Sequence, residues 1–324
     1  MNRTNIGILG LAVLCSLLVI VFTSMVAAEF QVPDASTRKA AVGSLRGLDH
    51  EMRVAFGDDR SFASFPEPGF NDWVSQHPEK GQTYRQYSGS RYNKINQQRR
   101  VLYIQPLGEF DERLSPSLEA LRDFTAAYYY PMKVVVLPAR LPGKVTSRQN
   151  GDFKQWLTGD VLDDLQARIP NNAYSLLGVT MTDLYPDESW NFVFGQARYR
   201  ARVGVFSFAR YLPQSGDEGS VMGEEQNRVL LKRAAKVLTH ETGHMFGVRH
   251  CIYYHCNMNG ANHLQEADAA PMHLCPVCLR KLHRVIGFSP LSRYKKLNAF
   301  YVKHGMTEDA RWVQSRLEQM KKKQ

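Results

Sequence analysis

The sequence predicts a mixed α/β (α+β) fold, and two features of it carry that expectation. Short β-branched and aromatic runs alternate with amphipathic helical stretches between residues 101 and 246, the pattern of a sheet with some parallel pairing. The chain is also long enough, at 324 residues with 44% hydrophobic and 22% charged residues, to bury a sizeable core. Its net charge of +10, from 41 basic and 31 acidic residues, is spread along the chain. Only the run Lys321-Lys322-Lys323 is locally basic, so no nucleic-acid binding is expected.

Residues 6–28 carry no charge. As a helix they would span about 34 Å, enough for a bilayer core of about 30 Å. Val26-Ala27-Ala28 also offers a cleavage point of small residues, so 1–28 reads as a signal peptide or a membrane anchor. The chain is accordingly expected to be membrane-anchored or exported, with the membrane a partner if the segment stays attached. Arg3 precedes the segment while Arg38, Lys39 and Arg46 follow it, which leaves its orientation open. Residues 29–100 are polar and broken by prolines. They read as a linker or N-terminal extension, with Phe62, Phe65, Phe70 and Trp73 as anchors.

The first core strand is expected at 101–107. A helix follows at 115–130, with Ser115 as N-cap and Pro116 in the first turn. A strand at 132–137 stops at Pro138, and 158–169 reads as a second helix with Leu162, Leu165 and Ile169 on one face. Further strands are expected at 174–182, 192–195 and 203–208. A Gly-rich loop over 215–223 then leads into a long helix over 224–246. Past Leu279 the tail reads as helices over 290–303 and 308–322, the second capped by Thr307.

The long helix ends in His240-Glu241-Thr242-Gly243-His244-Met245-Phe246-Gly247-Val248-Arg249-His250, which reads HExxHxxGxxH. His240 and His244 are four apart, so one helix face presents both to a metal. Glu241 is placed to act on a water as general base. Gly247 can take a positive φ and turn the chain, bringing His250 in as third ligand. Three imidazoles leave zinc an open position, the mark of a catalytic site.

Cys251 follows directly, then Cys256, Cys275 and Cys278. A Cx4C pair and a CxxC pair match a structural four-thiolate zinc. Two small disulfides are the competing reading. Each would contribute roughly 2 kcal/mol, against on the order of 10 kcal/mol for a four-cysteine zinc. Met258, eight residues past His250, suits a methionine turn beneath the metal, although a buried Met is more often simple packing. Tyr253 and Tyr254 are expected to pack, and Asp183 to be structural. His255, His263, His273 and His283 read as surface or supporting groups.

The composite HExxHxxGxxH, Cx4CxM and CxxC resembles the archaemetzincins, a metzincin-like family of zinc-dependent peptidases. Stretches around Asp183-Leu184-Tyr185-Pro186, Trp190 to Ala197, Phe206 to Tyr211 and Asn262 to Asp268 are similar to animal members. The resemblance implies a metzincin-like mixed sheet with packed helices, a long active-site helix and a small zinc-bound C-terminal subdomain. It implies His240, His244 and His250 on a catalytic zinc, Glu241 as catalytic base, Met258 as the Met-turn, and Cys251, Cys256, Cys275 and Cys278 on a structural zinc. Two Zn2+ per chain, a peptide or protein substrate and a monomer are therefore expected. The catalytic subdomain is expected over 101–250 and the C-terminal one over 251–324. A zinc-stabilised binding protein without turnover is the alternative, and the intact Glu241 speaks against it because metal binding alone needs only the histidines.

Overall fold

The computed structural model describes residues 30–57, 60–111, 113–211 and 223–322. Four short helices open it: α1 (Ala35–Val42), α2 (His50–Phe56), α3 (Trp73–Gln76) and α4 (Tyr84–Ser88). Then come β1 (Val101–Leu107), α5 (Leu118–Tyr128), β2 (Lys133–Val136), β3 (Ser147–Asn150), β4 (Phe153–Leu157) and α6 (Thr158–Ala167). They lead to β5 (Ala173–Thr180), β6 (Asp183–Tyr185), β7 (Gly195–Arg198), β8 (Val203–Ser207) and α7 (Glu224–Met245). Four helices close the chain: α8 (Leu264–Ala269), α9 (Pro276–Ile286), α10 (Pro290–Lys303) and α11 (Thr307–Lys321).

Five strands form the main sheet in the order β2-β1-β5-β8-β7. All pairs are parallel except β7 with β8, which is antiparallel and puts β7 at the edge. Every residue of β5 is buried, as a central strand covered on both faces requires. Leu102, Ile104, Leu177 and Val179 face one side, where the main core holds Phe124 of α5 and Leu230 and Leu238 of α7. Leu107, Leu176, Val203 and Val205 face the other, against Val161, Leu162 and Leu165 of α6. The alternation of strand side chains thus builds a helix–sheet–helix sandwich. A smaller sheet, β3-β4-β6, lies beside it.

The expected helices and strands of 101–250 occur with shifted ends. Ser117, not Ser115, caps α5 by accepting from the Ala120 N–H, while Ser115 donates to the Asp111 carbonyl. The strand expected at 192–195 begins only at Gly195, where a side chain would strike Phe206 at 2.4 Å. Most of the Gly-rich loop expected at 215–223 lies outside the described residues. Helix α9 was not expected: Pro276 in its first turn and the Cys275 cap start it, and Gly287 at φ +76° ends it.

Residues 30–100 contribute to the main core through Ala41, Val42, Ala55, Phe56, Phe62, Phe65, Val74 and Tyr87. Phe70, expected as an anchor, is instead 85% exposed.

The expected membrane-anchored or exported placement, and with it the signal or transmembrane segment, is corrected. Among the described residues no helix is long and apolar enough to cross a membrane. The longest, α7, alternates buried Leu and Ala with Glu, Arg and Lys because it packs one face on a sheet. Residues 6–28, on which that expectation rested, lie outside the described residues.

Candidate metal centre

Helix α7 holds the motif rigidly. Glu224 and Glu225 in its first turn favour the helix dipole. Near its other end, Tyr129 donates through its hydroxyl to the Thr239 carbonyl. Tyr174 and Tyr129 both stack on Phe246, with centroids at 4.3 and 5.2 Å. Gly247 then turns the chain at φ +81°, as the motif requires. A side chain there would also meet the Tyr92 Cβ at 2.6 Å.

The three histidines converge. Their ring centroids are 4.6, 4.8 and 5.3 Å apart, and their candidate ligand nitrogens lie within 4.8 Å of one another. Each Nδ1 is already engaged. That of His240 donates to the Asn257 carbonyl at 2.7 Å, and that of His244 to the Val248 carbonyl at 2.6 Å. That of His250 meets Glu79 Oε1 at 2.8 Å. A proton on Nδ1 leaves the Nε2 lone pair for a metal. The Nε2 atoms of His240 and His244 are 3.0 Å apart, near the separation of about 3.4 Å for two nitrogens on one tetrahedral zinc. The donor set therefore fits zinc. Burial and the neighbouring His250 push His240 down to about 3. Burial and His240 hold His244 well below the ordinary range, so both rings are neutral and ready to bind.

Glu241 stands between these two histidines in sequence. Burial raises its carboxyl to about 7, against a smaller downward pull from His250. The site opens on a cleft of about 1000 Å³ lined by Trp190, Phe194, Tyr199 and Tyr211 among others. On one wall, Lys236 of α7 donates to the carbonyls of Ala267, Asp268 and Ala270 at 2.5, 3.0 and 2.9 Å. Arg233 pairs with Asp268 at 2.6 Å, so α8 is clipped to the motif helix.

Met258 is buried under Gly243, where an added Cβ would lie 2.6 Å from its Sδ. The turn that carries it is closed by the Cys251 N–H donating to the Met258 carbonyl at 2.7 Å.

Cys251, Cys256, Cys275 and Cys278 form a second, fully buried cluster whose sulfurs also lie within 4.8 Å of one another. The four are free thiols. Cys251 Sγ and Cys275 Sγ are 3.6 Å apart. That is too long for a disulfide of about 2.05 Å and near the edge of about 3.8 Å expected for two sulfurs on tetrahedral zinc.

A family model described as Peptidase family M54 matches residues 147–284. Archaemetzincin-2 of Rattus norvegicus is 40% identical over 255 residues, 70% of this chain and 71% of that protein. Archaemetzincin-2 of Homo sapiens is 39% identical over 256 residues, with the same coverage. The chain belongs to the archaemetzincin family. As an archaemetzincin it is a zinc metallopeptidase acting on peptide or protein substrates. The crystal structure of archaemetzincin from Methanopyrus kandleri is 30% identical, covering 60% of this chain and 99% of that one, with a TM-score of 0.47.

Several supporting residues of this archaemetzincin were not expected from sequence. Glu79 also accepts from Trp73 Nε1 at 2.9 Å, and the Trp73 ring stands edge-on to His250 at 5.0 Å. Gln82 brackets the turn, donating to the Gly247 carbonyl at 3.3 Å and accepting from the Arg249 N–H at 3.2 Å. Asn257 donates to Tyr128 and Thr239, both at 3.0 Å, which fixes the carbonyl that holds His240. Tyr253 and Tyr254 are buried. Asp183 accepts from Gln155 and Arg210 at 2.7 and 2.8 Å, and His263 Nε2 is 3.0 Å from Asp72.

Proposed function

We propose that His240, His244 and His250 hold the catalytic zinc, that Glu241 is its general base, and that Cys251, Cys256, Cys275 and Cys278 hold a structural zinc, giving two Zn2+ per chain. One observation carries the first part: all three Nδ1 atoms are engaged, leaving three Nε2 atoms directed together in an open cleft that the half-buried Glu241 carboxylate also lines. Zinc bound there supplies an activated water and polarises the scissile carbonyl.

The chain's own residues do the rest. A Glu241 carboxyl oxygen takes the proton from the attacking water and returns it to the leaving nitrogen. Burial supports this role by making the carboxylate a stronger base than one in water. Glu79 keeps His250 in the right tautomer and orientation. Met258 forms a floor below the cluster, and the cysteine zinc holds the chain that presents His250. The enzyme works as a monomer, with a catalytic part over 101–250 and a C-terminal part over 251–324.

Glu241→Ala should keep both zinc ions while peptide hydrolysis falls by about 10²–10⁴-fold. Zinc content by elemental analysis, with turnover on a broad peptide library, tests this. A variant that still cleaves at the wild-type rate would remove Glu241 from the reaction. A wild type that cleaves nothing in the library would favour a zinc-stabilised binding protein.

A further inference from the structure

Lys281 lies on α9, three residues past Cys278, and is 0% exposed. Its Nζ has no hydrogen-bond partner among the described residues. An ammonium in that position is costly by several kcal/mol unless negative charge lies close by. The i,i+3 spacing puts it on the same side of α9 as Cys278, which is itself fully buried.

The cysteine cluster has the opposite problem. Four thiolates around one Zn2+ carry an excess of two negative charges, here with all four side chains buried. Backbone N–H groups offset part of this. Met258 and Cys275 donate to Cys256 Sγ at 3.4 and 3.2 Å, and Cys278 donates to Cys275 Sγ at 3.5 Å. The N-terminus of α9 adds partial positive charge. The contacts of Cys251 Sγ are with the other sulfurs. A buried side-chain amine without a hydrogen-bond partner thus shares a helix side with one member of a buried cluster that would be anionic with zinc bound. Two neutral disulfides would leave Lys281 uncompensated.

We propose that Lys281 is the internal counter-cation of the four-cysteine zinc, a positioning residue that stabilises the tetrathiolate and so steadies His250, which adjoins Cys251. The proposal rests on reading the cluster as a zinc site.

The test uses the full chain loaded with zinc, comparing wild type with Lys281→Gln and Lys281→Arg. Zinc per chain is counted, and release of the slowly exchanging ion to a chromogenic chelator is timed. Wild type should hold two zinc ions. Lys281→Gln should release the slow one about 10–100-fold faster, the range for losing a supporting partner of a metal ligand, while Lys281→Arg, which keeps the charge, stays near wild type. If wild type holds only one zinc, the cysteine-zinc reading falls and takes this proposal with it. If wild type holds two and the Gln and Arg variants release alike, or fail to fold alike, the counter-cation role alone is overturned.

Discussion

The histidine cluster and the cysteine cluster meet at the peptide bond between His250 and Cys251, yet water reaches only one of them. The histidines line a cleft of about 1000 Å³ and draw support from the motif's own Val248 carbonyl, from the Asn257 carbonyl just past it, and from Glu79 far away in the chain. The cysteines are buried, and their hydrogen bonds come from their own loops. An open position is needed where a substrate must enter, and a closed sphere where a metal must stay. The comparison teaches that exposure and ligand number go together here: three half-buried imidazoles face the cleft, and four thiols are closed off.

The comparison can be broken most sharply at the closed side. Cys256→Ser should cost most of the fold, since the proposed structural zinc would contribute on the order of 10 kcal/mol. A thermal melt resembling wild type would end the distinction. On the open side, Glu241 supplies the next largest effect. In protein stripped of the histidine-bound metal its folded pKa, about 7, lies above the usual value of 4.5. The folded state therefore binds more protons than the unfolded one between those values, so stability falls as pH rises from about 4.5 to 7. Glu241→Gln should abolish that loss, worth on the order of 3 kcal/mol. Melts across this pH range that stay parallel for the two proteins would contradict it.

Smaller effects sharpen the contrast. Glu79→Gln should weaken zinc binding at the histidines about 10–100-fold and leave the slowly released zinc unchanged, read by competition with a chelator. Equal weakening of both ions would mean that the sites are not separately supported. Gly243→Ala would force Met258 aside. It should cost about 1–3 kcal/mol, as overpacking does, with cysteine-bound zinc retained. A melting temperature equal to wild type would show that the floor yields freely.

The centres of both clusters were legible because the histidines fall within one short motif and the cysteines in two close pairs, and spacing alone reports which side chains share a helix face or a turn. The sheet was legible for a similar reason: β1, β5 and β8 are continuous apolar runs. What supports the histidines was not. Glu79 and Gln82 sit in a polar stretch far from the motif in sequence and reach it only because the core captures Phe62, Phe65, Val74 and Tyr87. No local pattern announces a carboxylate that will meet His250 Nδ1. Asn257 stood between Cys256 and Met258, but the group that holds His240 is its backbone carbonyl, and a sequence does not show where a carbonyl points. Helix α9 was obscured because CxxC drew attention as a ligand pair, although Pro276 marked a helix start.

The junction of His250 with Cys251 has a consequence for how the molecule would acquire the two proposed zinc ions. His240 and His244 come from a helix that packing already holds, whereas the third imidazole stands next to a cysteine whose position depends on the buried cluster. On the proposed two-zinc reading, an emptied chain should refill sulfur side first, with the histidines gaining full affinity only after that. A zinc titration of the emptied chain should then fill the two sites in that order, a sequence set by one peptide bond.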